Sequence, residues 1–434
     1  MSALKMCYIK KKQVYDMEKE GKMLEIIRKN QGFLDSNETK KRNRMKEKNF
    51  TRNRLLQFKF VVGLILNMLK KSLKIEIDDF YEYVLNETGG MTVTKQAFSK
   101  ARQNLNPNIF KELADIAINH VYADENYKKH DEYRFLAVDG TTIELPNLEK
   151  LEEYFGNVGN KAETVRARAS ALIDIENEII IDSEIGNYRD CERNYCKRHL
   201  KKLKELGYRK DLILYDRGYP SRELMAYHMD EGIDFLMRAK ETFLHKKTIY
   251  AGETDCIKEF TYKDNIYKVR RVEFMLNSGE KEVLITSISD KLSIQDLKVI
   301  YFKRWGIETK FNTLKHKIQI ENFSGYSTIA ILQDFYASMY LSNIAAIFKM
   351  DIEISDNTDR KYTYKVNENL LIGKLKNRLV KAFLFDDYKY AAAICERIIK
   401  EVGHNIIPIR PDRKVSRLQT HKPIKYPQNM RKSL

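Results

Sequence analysis

Apolar positions recur at helical spacing between Tyr301 and Ile318. At about 100° per residue from Tyr301, Ile307, Phe311, Leu314 and Ile318 fall near 240°, 280°, 220° and 260°, one apolar stripe. Arg304, Glu308 and Lys315 fall near 300°, 340° and 320° on the same estimate, close to Tyr301 itself. The pattern predicts a helix over 291–318, anchored by one face and presenting a carboxylate between two cations. Two upstream runs, Arg134-Phe-Leu-Ala-Val-Asp139-Gly-Thr-Thr and Asp211-Leu-Ile-Leu-Tyr-Asp216-Arg-Gly-Tyr, read as buried strands. Each is expected to end at its aspartate, with Gly140 or Gly218 supplying a turn.

The pattern between and around these runs fills in a mixed core. Residues 166–175 and 178–185 alternate as a hairpin around Glu176-Asn177. Residues 190–206 form a basic helix, 221–231 a helix with Ser221 as N-cap, and 233–237 a further strand. Strands follow at 259–262, 267–274 and 281–288, with a turn at Asn277-Ser-Gly. Apolar helices are expected at 334–350, 370–385 and 388–402. Upstream, residues 1 to about 58 are charged and helix-prone, 55–85 turn apolar at helical spacing, and Thr92 or Thr94 caps a helix from Lys95 to about Asn104.

Three carboxylates are placed to act together. Ligands in α/β sheets sit beyond the carboxyl ends of strands, where Asp139 and Asp216 are expected. With Glu308 from the helix they form an oxygen-rich set suited to hard divalent cations such as Mg²⁺. Taken alone, Arg304 and Glu308 are spaced as a surface i,i+4 ion pair, and either aspartate alone reads as a turn residue. Their combination carries the functional reading.

The spacing Tyr301, Arg304, Glu308, Lys315 resembles the YREK signature of DDE transposases of the insertion-sequence-4 group, and Arg304-Trp-Gly-Ile-Glu308 its RWxIE form. Val138-Asp139-Gly-Thr is similar to that group's first aspartate motif and Asp216-Arg-Gly-Tyr219 to its second. The resemblance covers roughly residues 90 to 345. It implies a ribonuclease-H-like α/β core, a mixed sheet flanked by helices, which the strand and helix order also fits. It implies a β-rich insertion between Asp216 and Glu308 and pairing of DNA ends by a homodimer, while helical spacing at either end of the chain reads as all-α N-terminal and helical C-terminal regions. The implied activity is cut-and-paste transposition: cleavage of DNA phosphodiesters at element ends, then joining of the freed 3′-hydroxyl to target DNA. Two Mg²⁺ or Mn²⁺ ions would be held by Asp139, Asp216 and Glu308, with Asp139 bridging both. Arg304 and Lys315 would bind phosphates, Tyr301 the backbone, and Trp305 a displaced base.

Composition sharpens the partner. Lys and Arg number 78 against 61 Asp and Glu, a net charge of +17, which suits a polyanion, double-stranded DNA first. No aromatic RNA-binding motif is present. No apolar run approaches the roughly 20 residues that span a bilayer, and Met1–Lys12 lacks a signal-peptide core. A cytoplasmic, nucleoid-associated protein is expected. The five scattered cysteines predict reduced thiols, and Cys191, Cys196 and His199 read as helix residues rather than a zinc site.

The expected organisation is a helical end-recognition domain over 1–128, possessing the basic run Lys40–Arg54 and a helix-turn-helix. A catalytic domain spans 129–240 and 290–350, with the β-rich insertion at 241–289. A helical C-terminal region over 351–434 ends in a basic tail. The rival readings are a metal-dependent nuclease without strand transfer and an inactive, transposase-derived DNA-binding regulator.

Overall fold

In a computed structural model, residues 21–410 are described, apart from 53, 68–69, 88–89, 91, 131, 159–163, 208, 245–253, 277–278, 289–291 and 355–360. The turn expected at Asn277 and the basic tail after Arg410 lie outside them. The chain divides into two compact units, Asn126–His316 and a second formed by Met1–Glu125 with Lys317–Leu434.

The unit Asn126–His316 is built on one mixed sheet of eight strands in the order β3-β2-β1-β4-β5-β8-β7-β6. β1 (Arg134–Glu144), β2 (Arg166–Asp174) and β3 (Ile179–Asn187) form an antiparallel meander. β4 (Asp211–Tyr215) and β5 (Asp234–Ala239) run parallel to β1. The helix Glu192–Glu205 links β3 to β4, and Arg222–Glu231 links β4 to β5, with Ser221 Oγ accepting from the Leu224 N–H at 3.1 Å. This is a ribonuclease-H-like fold. β6 (Thr254–Tyr262), β7 (Asn265–Met275) and β8 (Lys281–Thr286) then extend the same sheet antiparallel from β5. β6 and β7 join through Lys263 and Asp264 at φ 44° and 59°, the backbone of a tight hairpin turn.

β1 and β4 are fully buried where they pair because both are continuous apolar runs. Their first register pair is Arg134 opposite Asp211. The guanidinium donates to both carboxylate oxygens at 2.6 and 3.0 Å, with the side chains 2% and 1% exposed. A bidentate pair of this kind fixes register as well as charge.

Two expectations are corrected. Asp139 does not end its strand: β1 continues to Glu144, and Gly140 lies opposite Ser170 instead of in a turn. The parallel partner β4 stops pairing at Leu214, opposite Ala137, whereas the longer β2 carries β1 onward. The expected single helix over 291–318 is also broken. It runs Ile294–Lys303, tightens at Arg304 through three-residue hydrogen bonds, resumes as Trp305–Thr313 and ends in a π turn, Leu314–Ile318. Gly306 weakens helix here, yet a Cβ on it would meet Ile175 Cγ2 at 2.5 Å, so the close approach requires glycine.

The second unit is almost wholly helical among its described residues. Its longest helix, Thr328–Asp351, buries residues on every side. Arg102 ties to it by donating to Gln333 Oε1 and Asp334 Oδ1, both at 2.8 Å. The helix Lys95–Arg102 is capped by Thr94, whose Oγ1 accepts from the Ala97 N–H at 3.1 Å.

Candidate active site

Asp139 and Asp216 each stand five residues beyond their member of the Arg134–Asp211 pair. The pair therefore brings Asp216, one residue beyond the end of β4, level with Asp139 inside β1. Each carboxylate is oriented by local backbone: Asp139 Oδ1 accepts from the Gly140 N–H, and Asp216 Oδ1 from the Gly218 N–H, both at 2.8 Å.

Burial pushes the Asp139 carboxyl up to about 6, and the charges of Asp216 and Glu192 push the same way. The Gly140 N–H and the Arg304 guanidinium oppose that rise. Arg304 is the internal counter-cation. Its Nη2 donates to Glu308 Oε1 at 2.9 Å, and its Nη1 lies 3.9 Å from Asp139 Oδ2. Arg304 thus links the strand carboxylate to the helix carboxylate. Its guanidinium also lies 5.8 Å from the Tyr301 ring centre and 5.4 Å from that of Trp305. Tyr301 is 6% exposed and Trp305 52%. Lys315 Nζ donates to the Thr142 carbonyl of β1 at 2.8 Å.

Among the described residues, no three His, Cys, Asp or Glu side chains stand close enough together to hold a metal ion jointly. The donor chemistry of Asp139 and Asp216 nevertheless fits a hard divalent cation. Both offer carboxylate oxygens, and the charge of one already penalises ionisation of the other. Glu308 is engaged with Arg304 instead.

A fourth carboxylate was hidden in the sequence. Glu192 opens the basic helix Glu192–Glu205 and bonds to Arg168. A Cβ at Gly140 would lie 2.8 Å from its Oε1, so Gly140 makes room for it beside Asp139. No motif marks Glu192; only the packing of its helix on the sheet brings it there.

Of the Cys191, Cys196 and His199 cluster, Cys191 is exposed just before the helix, and Cys196 and His199 are buried within it. Cys196 is buried and bonds to the Tyr215 hydroxyl at 3.4 Å. His199 Nδ1 lies 2.7 Å from Asp182 Oδ2 and its Nε2 2.9 Å from Ser170 Oγ. Ser170 Oγ in turn donates to the Asp139 carbonyl at 3.3 Å. This Ser-His-Asp chain has the members of a hydrolytic triad but is buried throughout. It braces the β1 backbone at Asp139.

One consequence is measurable without metal. A carboxyl raised from 3.8 to about 6 binds its proton more tightly folded than unfolded. Its ionisation therefore costs stability progressively as pH rises through that window, and the cost is complete above it. Asp139→Asn should stabilise the metal-free protein at pH 8 by about 1–2 kcal/mol. Urea unfolding of both proteins at pH 8 and pH 4 checks it; the gain should shrink at the lower pH.

Comparison with known families gives a match over residues 130–344 to the transposase DDE domain. The chain carries a DDE transposase domain. Asp139, Asp216 and Glu308 all lie inside the DDE domain. No curated protein matches the chain. Among solved structures, the chain is similar to a piggyBac transposase in a synaptic complex with hairpin DNA, at 11% identity and a TM-score of 0.46, covering 92% of this chain and 88% of that one. Among the described residues, no helix is long and apolar enough to cross a membrane.

Proposed function

We propose that this chain is the DNA transposase of an insertion sequence of the insertion-sequence-4 type, and that Asp139, Asp216 and Glu308 are its catalytic carboxylates. The observation that carries this reading is the placement of Asp216, just beyond the end of β4, level with Asp139 of the neighbouring β1, with Arg304 between Asp139 and Glu308. Asp139 and Asp216 would hold divalent metal, with Glu308 joining them on release from Arg304. Bound Mg²⁺ or Mn²⁺, two ions in the fullest set, would supply an activated oxygen nucleophile and neutralise developing charge.

The remaining residues bind and orient. Arg304, released from Glu308, presents a planar fork suited to phosphate. Lys315, tied to the Thr142 carbonyl of β1 three residues beyond Asp139, would contact a strand entering the site. Trp305 is exposed and offers a stacking face for a displaced base. Tyr301, with its ring beside the Arg304 guanidinium, would contact the DNA backbone through its hydroxyl. The reaction is hydrolysis of a phosphodiester, which frees a 3′-hydroxyl, followed by attack of that hydroxyl on a target phosphodiester, forming a new P–O bond as the target strand's own 3′-oxygen leaves with a proton. End recognition falls to residues 1–128, and a homodimer would pair two ends.

The test is direct. The full chain is incubated with Mg²⁺ or Mn²⁺ and a plasmid carrying the DNA that flanks its gene. Breaks at the element ends followed by joined products support transposition. Breaks without joining leave a nuclease, and end binding without breaks leaves a regulator. Binding to these ends should weaken about 10³-fold or more between 50 and 200 mM salt if six or more phosphates are contacted. A salt-independent affinity would count against the DNA reading.

A further inference from the structure

A second site lies in the helical unit, away from the three carboxylates in sequence. The segments 43–52 and 54–57 are fastened beside the helix Lys95–Arg102. The Met45 N–H donates to the Asn104 carbonyl and the Asn106 N–H to the Asn43 carbonyl, both at 2.9 Å. The Tyr81 hydroxyl donates to the Leu55 carbonyl at 3.0 Å. Between segments and helix lies a cavity of about 860 Å³, within the size range of small-ligand sites.

Its lining has one sign of charge. Lys48, Arg52, Arg54 and Lys100 contribute to the wall, and no Asp or Glu does. Among the described residues, none of these four is paired with a carboxylate. By contrast Arg42, just upstream, is bonded to Glu112 at 3.1 Å. The rest of the wall is largely apolar, with Phe50, Leu55, Val93 and Ala97. Asn49 lines it too, and its buried Oδ1 has no hydrogen-bond partner. Phe50 holds φ at 57°, a conformation that bulky residues avoid and that clusters at ligand sites.

Phosphate contact alone needs only surface cations. A roomy apolar cavity with a cationic rim and a spare amide acceptor suits a ligand with a flat apolar body, an N–H donor and an anionic edge. An unpaired nucleotide has all three. We propose that this cavity receives one unpaired nucleotide of a DNA strand, with the base against Phe50, Leu55 and Ala97 and the phosphate at the Lys48, Arg52, Arg54 and Lys100 rim. The proposal rests on the reading of the chain as a DNA-binding transposase and adds a strand-capture site in its N-terminal region.

The experiment uses the full chain and three probes: a short paired duplex, the same duplex with a single bulged adenosine, and free dAMP. The bulged duplex should bind about tenfold tighter than the paired one, the effect of stacking one base. Ala97→Trp, which fills the cavity, should abolish that preference while leaving paired-duplex affinity within about twofold. Asn49→Leu keeps the side chain's approximate size, removes the amide acceptor and should weaken the preference as well. Unchanged melting temperatures show that both variants are folded. A bulge preference absent from the unaltered protein, or surviving both variants, overturns the proposal. Competition by dAMP at an affinity equal to the bulged duplex would make the ligand a free nucleotide and overturn the DNA source. Failure to bind even the paired duplex sinks the transposase reading itself, whereas paired-duplex binding without bulge preference sinks the cavity alone.

Discussion

Glu308→Gln lowers metal-dependent strand cleavage by about a hundredfold or more and leaves folding and end binding in place. Gln keeps the size of the side chain and an oxygen able to accept from Arg304 Nη2, now 2.9 Å from Glu308 Oε1. The negative charge is lost. If Glu308 helps hold metal, that loss removes roughly 3 kcal/mol of transition-state stabilisation, and about 1.36 kcal/mol is tenfold in rate. If Glu308 serves only as the i,i+4 partner of Arg304, the pair is a modest one: its carboxylate is 41% exposed, and such pairs contribute about 0.5 kcal/mol or less. Cleavage and urea unfolding measured side by side separate the two. Near-normal cleavage would remove Glu308 from the catalytic set and weaken the assignment of the whole Tyr301–Lys315 face.

The second large effect is on stability. Arg134→Met should cost about 3–5 kcal/mol, because it strands the Asp211 carboxylate in a dry interior. Arg134 and Asp211 are 2% and 1% exposed, and the two bonds between them hold the first register pair of β1 and β4. Changing both together, Arg134→Met with Asp211→Leu, should recover most of the loss, since an apolar pair of similar volume carries no buried charge. Urea midpoints of the two single variants and the double variant complete the cycle. A loss under about 1 kcal/mol for Arg134→Met would mean that water reaches Asp211 and that the pair is not what levels the two aspartates.

The strands leading to Asp139 and Asp216 were legible because buried parallel strands need continuous apolar runs, and Phe135–Val138 and Leu212–Tyr215 are such runs. The hairpin at Glu176-Asn177 was legible from alternation alone. Strand length was not. Asp139 lies inside β1 because β2 outlasts β4, and a sequence does not state how long its neighbours are. The break at Arg304 was equally hidden, since apolar spacing survives a one-residue tightening of the backbone. Glu192, and the bracing of Asp139 through Ser170, His199 and Asp182, depend on contacts between distant segments. Likewise, three strands were expected between Lys240 and Ser289, but their continuation of the main sheet from β5 is a matter of pairing partners.

The backbone around Glu308 has a kinetic meaning. Trp305–Thr313 is a nine-residue helical segment between a tightened junction and a π turn, two places where a helix's hydrogen-bond ladder changes register. β1 and β4, by contrast, each pair on both sides within the eight-stranded sheet. Amide exchange should therefore be slow through Phe135–Val138 and faster across Arg304–Ile318. Asp139 rides on the paired core of the sheet, Asp216 just beyond it, and Glu308 on a short helical piece bounded by two changes of register. Moving Glu308 from Arg304 toward Asp139 would then require a local rearrangement of the helix and leave the sheet undisturbed.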